Sequence, residues 1–311
     1  MINQKVFLAG HNGLVGSSIL KKLKEKGYKN IITRNKKQLN LLEFKKVLNF
    51  LKKTKPHYII VAAAKVGGIY SNYKYQAEFI YQNLSIQSNI IHSAYLAGVK
   101  NLIFLGSSCV YPKFCKQPIK EDYLLSGKLE NTNEAYAVAK IAGIKMCESY
   151  NFQYKTNYKC LMPTNTFGPN DNYDKLNSHF FPALIKKVHE LKSSKKKNLI
   201  LWGNGKAKRE MIYVDDVADA CIYFMNKKIK HTIINIGTGK DFTITEYAKK
   251  ILDVILPNKK IRIKYDLSKP NGTPRKVLDV SLAKKYGWKP KILLKDGIFM
   301  TYKNFLNSKN K

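Results

Sequence analysis

The stretch Lys5-Val6-Phe7-Leu8-Ala9-Gly10-His11-Asn12-Gly13-Leu14-Val15-Gly16 runs a short apolar, β-rich segment straight into three glycines at every third position. An amphipathic stretch then continues to about Lys26. The reading is strand, tight turn, helix. Glycines so placed let the backbone turn sharply and approach a pyrophosphate, whose charge meets free amides at the start of the following helix. Such a triplet alone is a common turn pattern. Its position directly after an N-terminal strand is what points to a dinucleotide.

Outward from this turn the alternation repeats. Asn30 to Arg34, His57 to Ala63, Asn101 to Leu105 and Tyr158 to Met162 read as strands. Leu42 to Lys53, Ala77 to Ala97 and Tyr136 to Tyr150 read as helices between them. This rhythm implies parallel βαβ units and an α/β fold, a Rossmann-type doubly wound parallel sheet. After Gly168-Pro169 it changes: short strands at Leu199 to Trp202 and Glu210 to Tyr213, and helices at Phe181 to Leu191, Asp216 to Met225 and Thr245 to Ile255, no longer alternate regularly. We expect residues 1–165 to form the dinucleotide-binding domain of Rossmann type and 166–311 mainly a smaller, mixed α/β substrate-binding region, with 215–240 returning to the main sheet.

Composition bounds the function. The 311 residues, 44% hydrophobic, suffice for a sizeable core. No apolar run approaches the roughly 18 residues of a membrane span, and the first residues read as a strand rather than a presequence. A cytoplasmic protein without a membrane partner is expected. Cys109, Cys115, Cys147, Cys160 and Cys221 are dispersed and odd in number, which argues for reduced thiols and against a zinc site; no metal is expected. The net charge of +35 invites a nucleic-acid reading. However, the lysines are spread through every segment without interleaved aromatics, as on a solvated surface, so no specific nucleic-acid partner is expected. The positive field would steer anionic nucleotides to the cleft.

Tyr136 and Lys140 are spaced to share one face of a helix, where an ammonium lowers the pKa of a neighbouring phenol and suits it to acid-base work. Ser107, after the strand that ends at Leu105, offers a hydroxyl to the same carbonyl oxygen. Cys109 follows two residues later, so an extended backbone would aim it to the same side as Ser107. Taken singly each has a blander reading: a snorkelling lysine, an inert buried cysteine, a structural His179. At the end of the second strand, Arg34-Asn35-Lys36-Lys37 presents cations and no carboxylate, which favours NADPH over NADH.

Longer strings narrow the choice. Ala62-Ala63-Ala64-Lys65-Val66-Gly67-Gly68-Ile69, Leu105-Gly106-Ser107-Ser108-Cys109-Val110-Tyr111-Pro112-Lys113, Met162-Pro163-Thr164-Asn165, Asn177-Ser178-His179 and Lys269 to Lys276 resemble the GDP-L-fucose synthase family of extended short-chain reductases. The resemblance runs from the first strand to the last helix. It implies NADPH-dependent conversion of GDP-4-keto-6-deoxy-D-mannose to GDP-L-fucose: epimerisation at C3 and C5, then reduction at C4. By the same resemblance Cys109 is the base and His179 the acid, paired as thiolate and imidazolium. Ser107 and Tyr136 bind the keto oxygen, and Lys140 depresses the tyrosine pKa and holds the nicotinamide ribose. The cofactor would lie along Gly10, His11, Asn12, Gly13, Leu14, Val15 and Gly16, against Arg34 and Lys36. Its nicotinamide would face Leu105, Gly106, Ser107 and Ser108, with Pro163, Thr164, Asn165, Thr166 and His179. Lys187, Trp202, Arg209 and Asn271 match positions that hold the GDP-sugar.

The chain departs from the family pattern at Asn12, Lys36 and Lys187, where arginine is usual, and at Asn271, where aspartate is. Lysine keeps the charge but loses the planar fork. The alternative is a C4 reductase of a related GDP-6-deoxy-4-keto sugar such as a heptose, with partial or no epimerisation. A dehydratase or 4-epimerase with resident NAD is opposed by Arg34, Lys36 and Ser108-Cys109-Val110, which replaces the acidic pair such dehydratases carry. An RNA-binding, non-catalytic relative would have no use for Ser107, Tyr136, Lys140, Cys109 and His179 together. A homodimer through the helices at 77–97 and 136–150 is expected from fold-level analogy.

Overall fold

The computed structural model describes residues 2–174, 178–269 and 271–309. In chain order the elements are β1 (Val6–Ala9), α1 (Leu14–Glu25), β2 (Ile31–Arg34), α2 (Phe44–Thr54), β3 (Tyr58–Val61), α3 (Ile69–Lys74), α4 (Gln76–Leu96), β4 (Asn101–Leu105), α5 (Glu134–Tyr154), β5 (Asn157–Pro163), β6 (Asn165–Phe167), α6 (Phe180–Glu190), β7 (Asn198–Trp202), β8 (Lys208–Tyr213), α7 (Val214–Met225), β9 (Ile233–Ile236), β10 (Asp241–Thr243), α8 (Ile244–Ile255), β11 (Arg262–Asp266), β12 (Arg275–Lys276), α9 (Ser281–Lys285) and α10 (Leu294–Lys309). Six of the strands form one parallel sheet in the order β2-β1-β3-β4-β5-β9.

The apolar strand runs follow from burial on both faces. Along β1, Phe7 and Ala9 join one core with Val47 and Leu51 of α2, Ile90 of α4 and Ile144 of α5. Val6 and Leu8, pointing the other way, join a second core with Ile19 and Leu23 of α1 and Val217 and Cys221 of α7. Because β1 lies between β2 and β3, the chain steps from β1 to β2 on one side and then crosses back over β1 to β3 on the other. The crevice beyond the carboxyl ends of β1 and β3 is the place such sheets offer a ligand.

A smaller layer is organised by β8, which pairs antiparallel with β10 and parallel with β6 and β12; β7 and β11 pair beside it. A third core, including Phe181, Leu201, Tyr247 and Ile298, lies beneath. Glu210 of β8 ties this layer to the main sheet. Its fully buried carboxylate accepts from the backbone nitrogens of Thr238 and Gly239 at 2.6 Å each, just after β9, and from that of Leu278 at 2.8 Å.

Lys159 on β5 is 2% exposed and donates to the Phe224 carbonyl at 2.8 Å, near the C-terminus of α7. Burial lowers its pKa from 10.5 to about 8. Between those values the unfolded chain holds a proton that the folded chain has released, so this group makes stability rise with pH across that window. In Lys159→Met the linkage is gone. Wild type should therefore gain on the order of 2 kcal/mol over the variant between about pH 8 and pH 10, read from urea unfolding curves; parallel pH slopes would refute the assignment.

Candidate active site

The chain leaves β1 through Gly10, whose φ of 89° lies in the left-handed region. A β-carbon there would stand 2.5 Å from the Ala63 nitrogen, so the turn packs against the end of β3. Gly13 donates to the Gly10 carbonyl at 3.2 Å and begins α1 without a capping side chain. At Gly16 any side chain would collide with the Gly10 carbonyl oxygen. The amides of Leu14, Val15 and Gly16 thus open α1 toward the crevice, with no acidic residue in the first turn to compete for them. Asn12 is exposed, and His11 has a buried Nδ1 with no partner among the described residues. Arg34 is in register with Ala9; it stacks 5.5 Å over Phe50 and donates to the Thr33 carbonyl, and Lys36 is exposed beside it. A backbone cradle, an uncapped helix start and an orphaned imidazole nitrogen fit a dinucleotide's phosphates. The two cations after β2 fit an additional 2′-phosphate.

Further along the sheet, Leu105 to Ser108 leave β4 beside the end of β5, where Gly106 donates to the Leu161 carbonyl at 2.9 Å. Ser107 is extended, and its Oγ accepts from the Cys109 nitrogen at 3.2 Å, starting a 3-10 turn over Ser108–Val110. The extended backbone expected to align Cys109 with Ser107 is therefore absent. The turn still packs on α5, the helix that carries Tyr136. Burial pushes that phenol well above its usual value of 10, the Cys109 thiol raises it further, and hydrogen bonding from Ser107 lowers it. Tyr136 nonetheless keeps part of its surface open to solvent, as a residue lining a cleft does.

Lys140, 3% exposed, donates to the Leu105 carbonyl at 2.8 Å. Its Nζ lies 4.7 Å from the Phe104 ring centre and 5.9 Å from that of Tyr136. Burial brings the ammonium down to about 8. The expected depression of the phenol by this ammonium is overturned: desolvation of the phenol dominates, and the ammonium is turned to a backbone carbonyl. His179 stands at the N-cap position of α6 without a capping side-chain bond and is exposed, but the protein crowding its ring lowers its pKa and favours neutral imidazole over the expected imidazolium. Asn177 lies outside the described residues. α5 packs on the turn that carries Ser107 and Cys109, and Lys140 bonds the end of the strand before it, so these residues and Tyr136 share one region; the pairing of His179 with Cys109 rests on resemblance alone.

On the β5 side, Pro163 ends the strand. Thr164 and Asn165 direct their side chains to the Glu210 carbonyl at 3.2 and 3.0 Å, and Thr166 Oγ1 returns to the Thr164 carbonyl. Among the substrate candidates, Lys187 neighbours Trp202, Asn271 abuts Gly203 and Arg209 abuts Gly272. Arg209 is close enough to Cys109 and Glu130 for both to raise its pKa, against a larger lowering by burial, and it donates to the Thr273 carbonyl at 2.6 Å. Asn271 follows two residues before Thr273 and accepts from the Asn204 nitrogen at 2.7 Å, beside Trp202. Trp202 is 61% exposed, with Lys187 and Lys269 at 5.4 and 5.8 Å from its ring centre. Pro270, in the expected motif, lies outside the described residues.

Several participants escaped the sequence reading. Phe79 packs edge-on against Tyr136, with ring centres 6.5 Å apart. Buried Gln87 of α4 donates to the Ala139 carbonyl, and buried Asn83, one turn earlier, holds Lys65 at both its nitrogen and its carbonyl. Lys113 pairs with Glu130, which also accepts from Thr273. The available signal was polar residues at core positions of a helix. Among the described residues no group of histidine, cysteine and acidic side chains is placed to hold a metal.

The model of the NAD dependent epimerase/dehydratase family matches residues 6–237. A putative GDP-L-fucose synthase 2 from Arabidopsis thaliana is 48% identical over 98% of this chain and 92% of its own length. GDP-L-fucose synthase from Escherichia coli strain K12 is 46% identical over 100% of this chain and 99% of its own. A solved GDP-mannoheptose C4 reductase from Campylobacter jejuni, with NADP bound, superposes with a TM-score of 0.89 at 36% identity, covering 98% of this chain and 99% of that one.

Because Gly16 abuts the Gly10 carbonyl, Gly16→Ala should push the turn away from α1. NADPH affinity should fall at least about tenfold in a fluorescence titration, the loss of roughly one hydrogen bond to a charged group. Unchanged affinity would remove this turn from the cofactor site.

Proposed function

The chain belongs to the NAD dependent epimerase/dehydratase family and, within it, to the GDP-L-fucose synthases, and on this premise we propose that it converts GDP-4-keto-6-deoxy-D-mannose to GDP-L-fucose. The convergence of Ser107, Cys109 and Tyr136 at the end of β4 carries this reading. A 4-keto group acidifies the hydrogens on C3 and C5, so a base removes each and an acid returns it to the opposite face. Cys109 is the base. The enolate oxygen is held by Ser107 and Tyr136, donors preorganised where the negative charge develops. His179 returns the protons: its neutral imidazole takes the thiol proton of Cys109, leaving the thiolate that abstracts from carbon, and the imidazolium so formed protonates the opposite face of the enolate, which restores thiol and neutral imidazole. NADP(H) is the cofactor, and NADPH supplies hydride to C4. A phenol kept protonated by burial is in the right form to give its proton to the C4 oxygen, and Lys140, anchored on Leu105, stands at the ribose.

Residues 1–165 with 215–240 serve the cofactor, and 166–311 mainly serve the GDP-sugar. Arg209 and Lys187 face the diphosphate, and Trp202 packs on the ligand between two cations, with Asn271 setting the turn beside it. The likeness to a GDP-mannoheptose C4 reductase keeps a second reading in play, C4 reduction of a GDP-6-deoxy-4-keto heptose without full epimerisation.

Tyr136→Phe should cut NADPH oxidation about a thousandfold with the fold retained, the usual weight of a positioned proton donor. In deuterated water the wild-type product should carry label at C3 and C5, and Cys109→Ser should suppress that label while NADPH binding persists. Unlabelled wild-type product would select the simple reductase, and near-normal turnover of Tyr136→Phe would remove the tyrosine from its role.

Among the described residues no helix is long and apolar enough to cross a membrane. We place the chain in the cytoplasm as a homodimer built on α4 and α5, whose outer surfaces expose Tyr81 at 64%, Val138 and Phe152. Tyr81→Asp should shift the sedimentation coefficient from dimer to monomer; an unshifted dimer would move the interface elsewhere.

A further inference from the structure

We propose that Thr273 and Glu130 are positioning residues that hold the Arg209 guanidinium so that its side edge, Nε with Nη2, takes the diphosphate of the GDP-sugar. This rests on the function proposed above, which assigns Arg209 to the diphosphate, and it specifies how that arginine is aimed. One end of the fork is already engaged by the protein. Nη1 donates to the carbonyls of Lys208 and Thr273 at 2.8 and 2.6 Å, which uses both hydrogens that nitrogen carries. Neither Nε nor Nη2 makes a hydrogen bond among the described residues. An arginine occupied at Nη1 keeps one coplanar pair of donors, Nε with Nη2, and that pair matches two oxygens of a phosphate.

Thr273 is the joint that fixes this orientation. Its carbonyl accepts from Arg209 while its hydroxyl donates to Glu130 at 3.1 Å. Glu130 is held in turn by Lys113, whose Nζ stands 3.1 and 3.3 Å from the two carboxylate oxygens. Burial raises the Glu130 pKa, but the bonds from Lys113 and Thr273 outweigh it, so the group stays an ionised acceptor and the threonine hydroxyl is the donor. Beyond the joint, the Pro274 carbonyl accepts from the Lys208 nitrogen at 2.8 Å, and Arg275 and Lys276 pair with Lys208 and Arg209. At Gly272, with φ at 70°, a β-carbon would stand 3.1 Å from Nη2, so the backbone passes close beside the guanidinium.

The segment around the joint has little burial to hold it, since Gly272, Pro274 and Arg275 are exposed. Its hold on Arg209 therefore depends on the bond to Glu130. An arginine fixed beforehand loses less side-chain freedom when an anion arrives, which leaves more of the contact energy for binding. Lys113 and Glu130 both lie between the turn of Cys109 and α5, so the same joint ties the diphosphate arginine to the segment that links the reacting groups.

The test compares wild type, Thr273→Val, Thr273→Ser and Glu130→Leu, each alone and combined with Arg209→Ala, by calorimetric titration of GDP into the NADP-loaded protein and by steady-state turnover of the GDP-4-keto sugar. Thr273→Val and Glu130→Leu should each weaken GDP binding and raise KM for the sugar about fivefold, the weight of one net hydrogen bond, with kcat and NADPH affinity held. Thr273→Ser keeps the hydroxyl and should match wild type. In the Arg209→Ala background neither Thr273→Val nor Glu130→Leu should weaken GDP further, because both act through that side chain. Wild-type GDP affinity in Thr273→Val, a Thr273→Ser as weak as Thr273→Val, an equal fall in NADPH affinity, or the same loss with and without Arg209 overturns the positioning role. The GDP titration decides this whether or not wild type turns over the keto sugar, so inactivity on that sugar sinks the proposed reaction alone.

Discussion

One buried hydrogen bond, from the Lys140 ammonium to the Leu105 carbonyl, sets the relation between α5 and the sheet on which the candidate chemistry depends. Leu105 is the last residue of β4, and two residues later Ser107 begins the turn that carries Cys109. Fixing Lys140 on that carbonyl therefore fixes Tyr136, one helical turn away, on the side of α5 that packs on this turn. The helix is also held at close range from other sides. Gln87 reaches across from α4 to the carbonyl of Ala139, and a side chain at Gly143 would strike both Gln87 and Phe104. Lys140 is thus desolvated and directed by packing, and its low proton affinity follows from that burial, which outweighs the raising effect of Cys160.

The strand-turn-helix at the N-terminus and the parallel sheet were legible because both rest on local patterns. Apolar runs buried on two faces, glycines where a β-carbon has no room, and helices closed by Gly98 all leave marks within a few residues. The shorter strands β6, β10, β11 and β12 were not assigned. Each is defined by its partner rather than by its own composition, as with Arg275 and Lys276 pairing with Lys208 and Arg209. α3 was also missed, because a six-residue helix shows less than two turns of periodicity.

At the candidate site, the nearness of Ser107, Cys109 and Lys140 to the end of β4 was readable and electrostatic state was not. The spacing of Tyr136 and Lys140 shows that they share a face; it does not show that burial outweighs the charge between them. Cys109 was placed near Ser107 for a wrong geometric reason, since the local turn depends on an Oγ accepting from a backbone nitrogen two residues on. The chain of contacts from Arg209 through Thr273 to Glu130 and Lys113 joins residues more than a hundred positions apart, and no local signal announces it.

The Glu210 carboxylate rivets β8 to the loop after β9 and to the segment at Leu278 with three backbone donors, while the side chains of Thr164 and Asn165 close on its carbonyl from the end of β5. Breaking that joint would strand a buried anion together with several unpaired amides. The two layers are consequently tied together at one joint on the β8 side of the crevice, so freedom to adapt there is left to the side chains and loops along its rim.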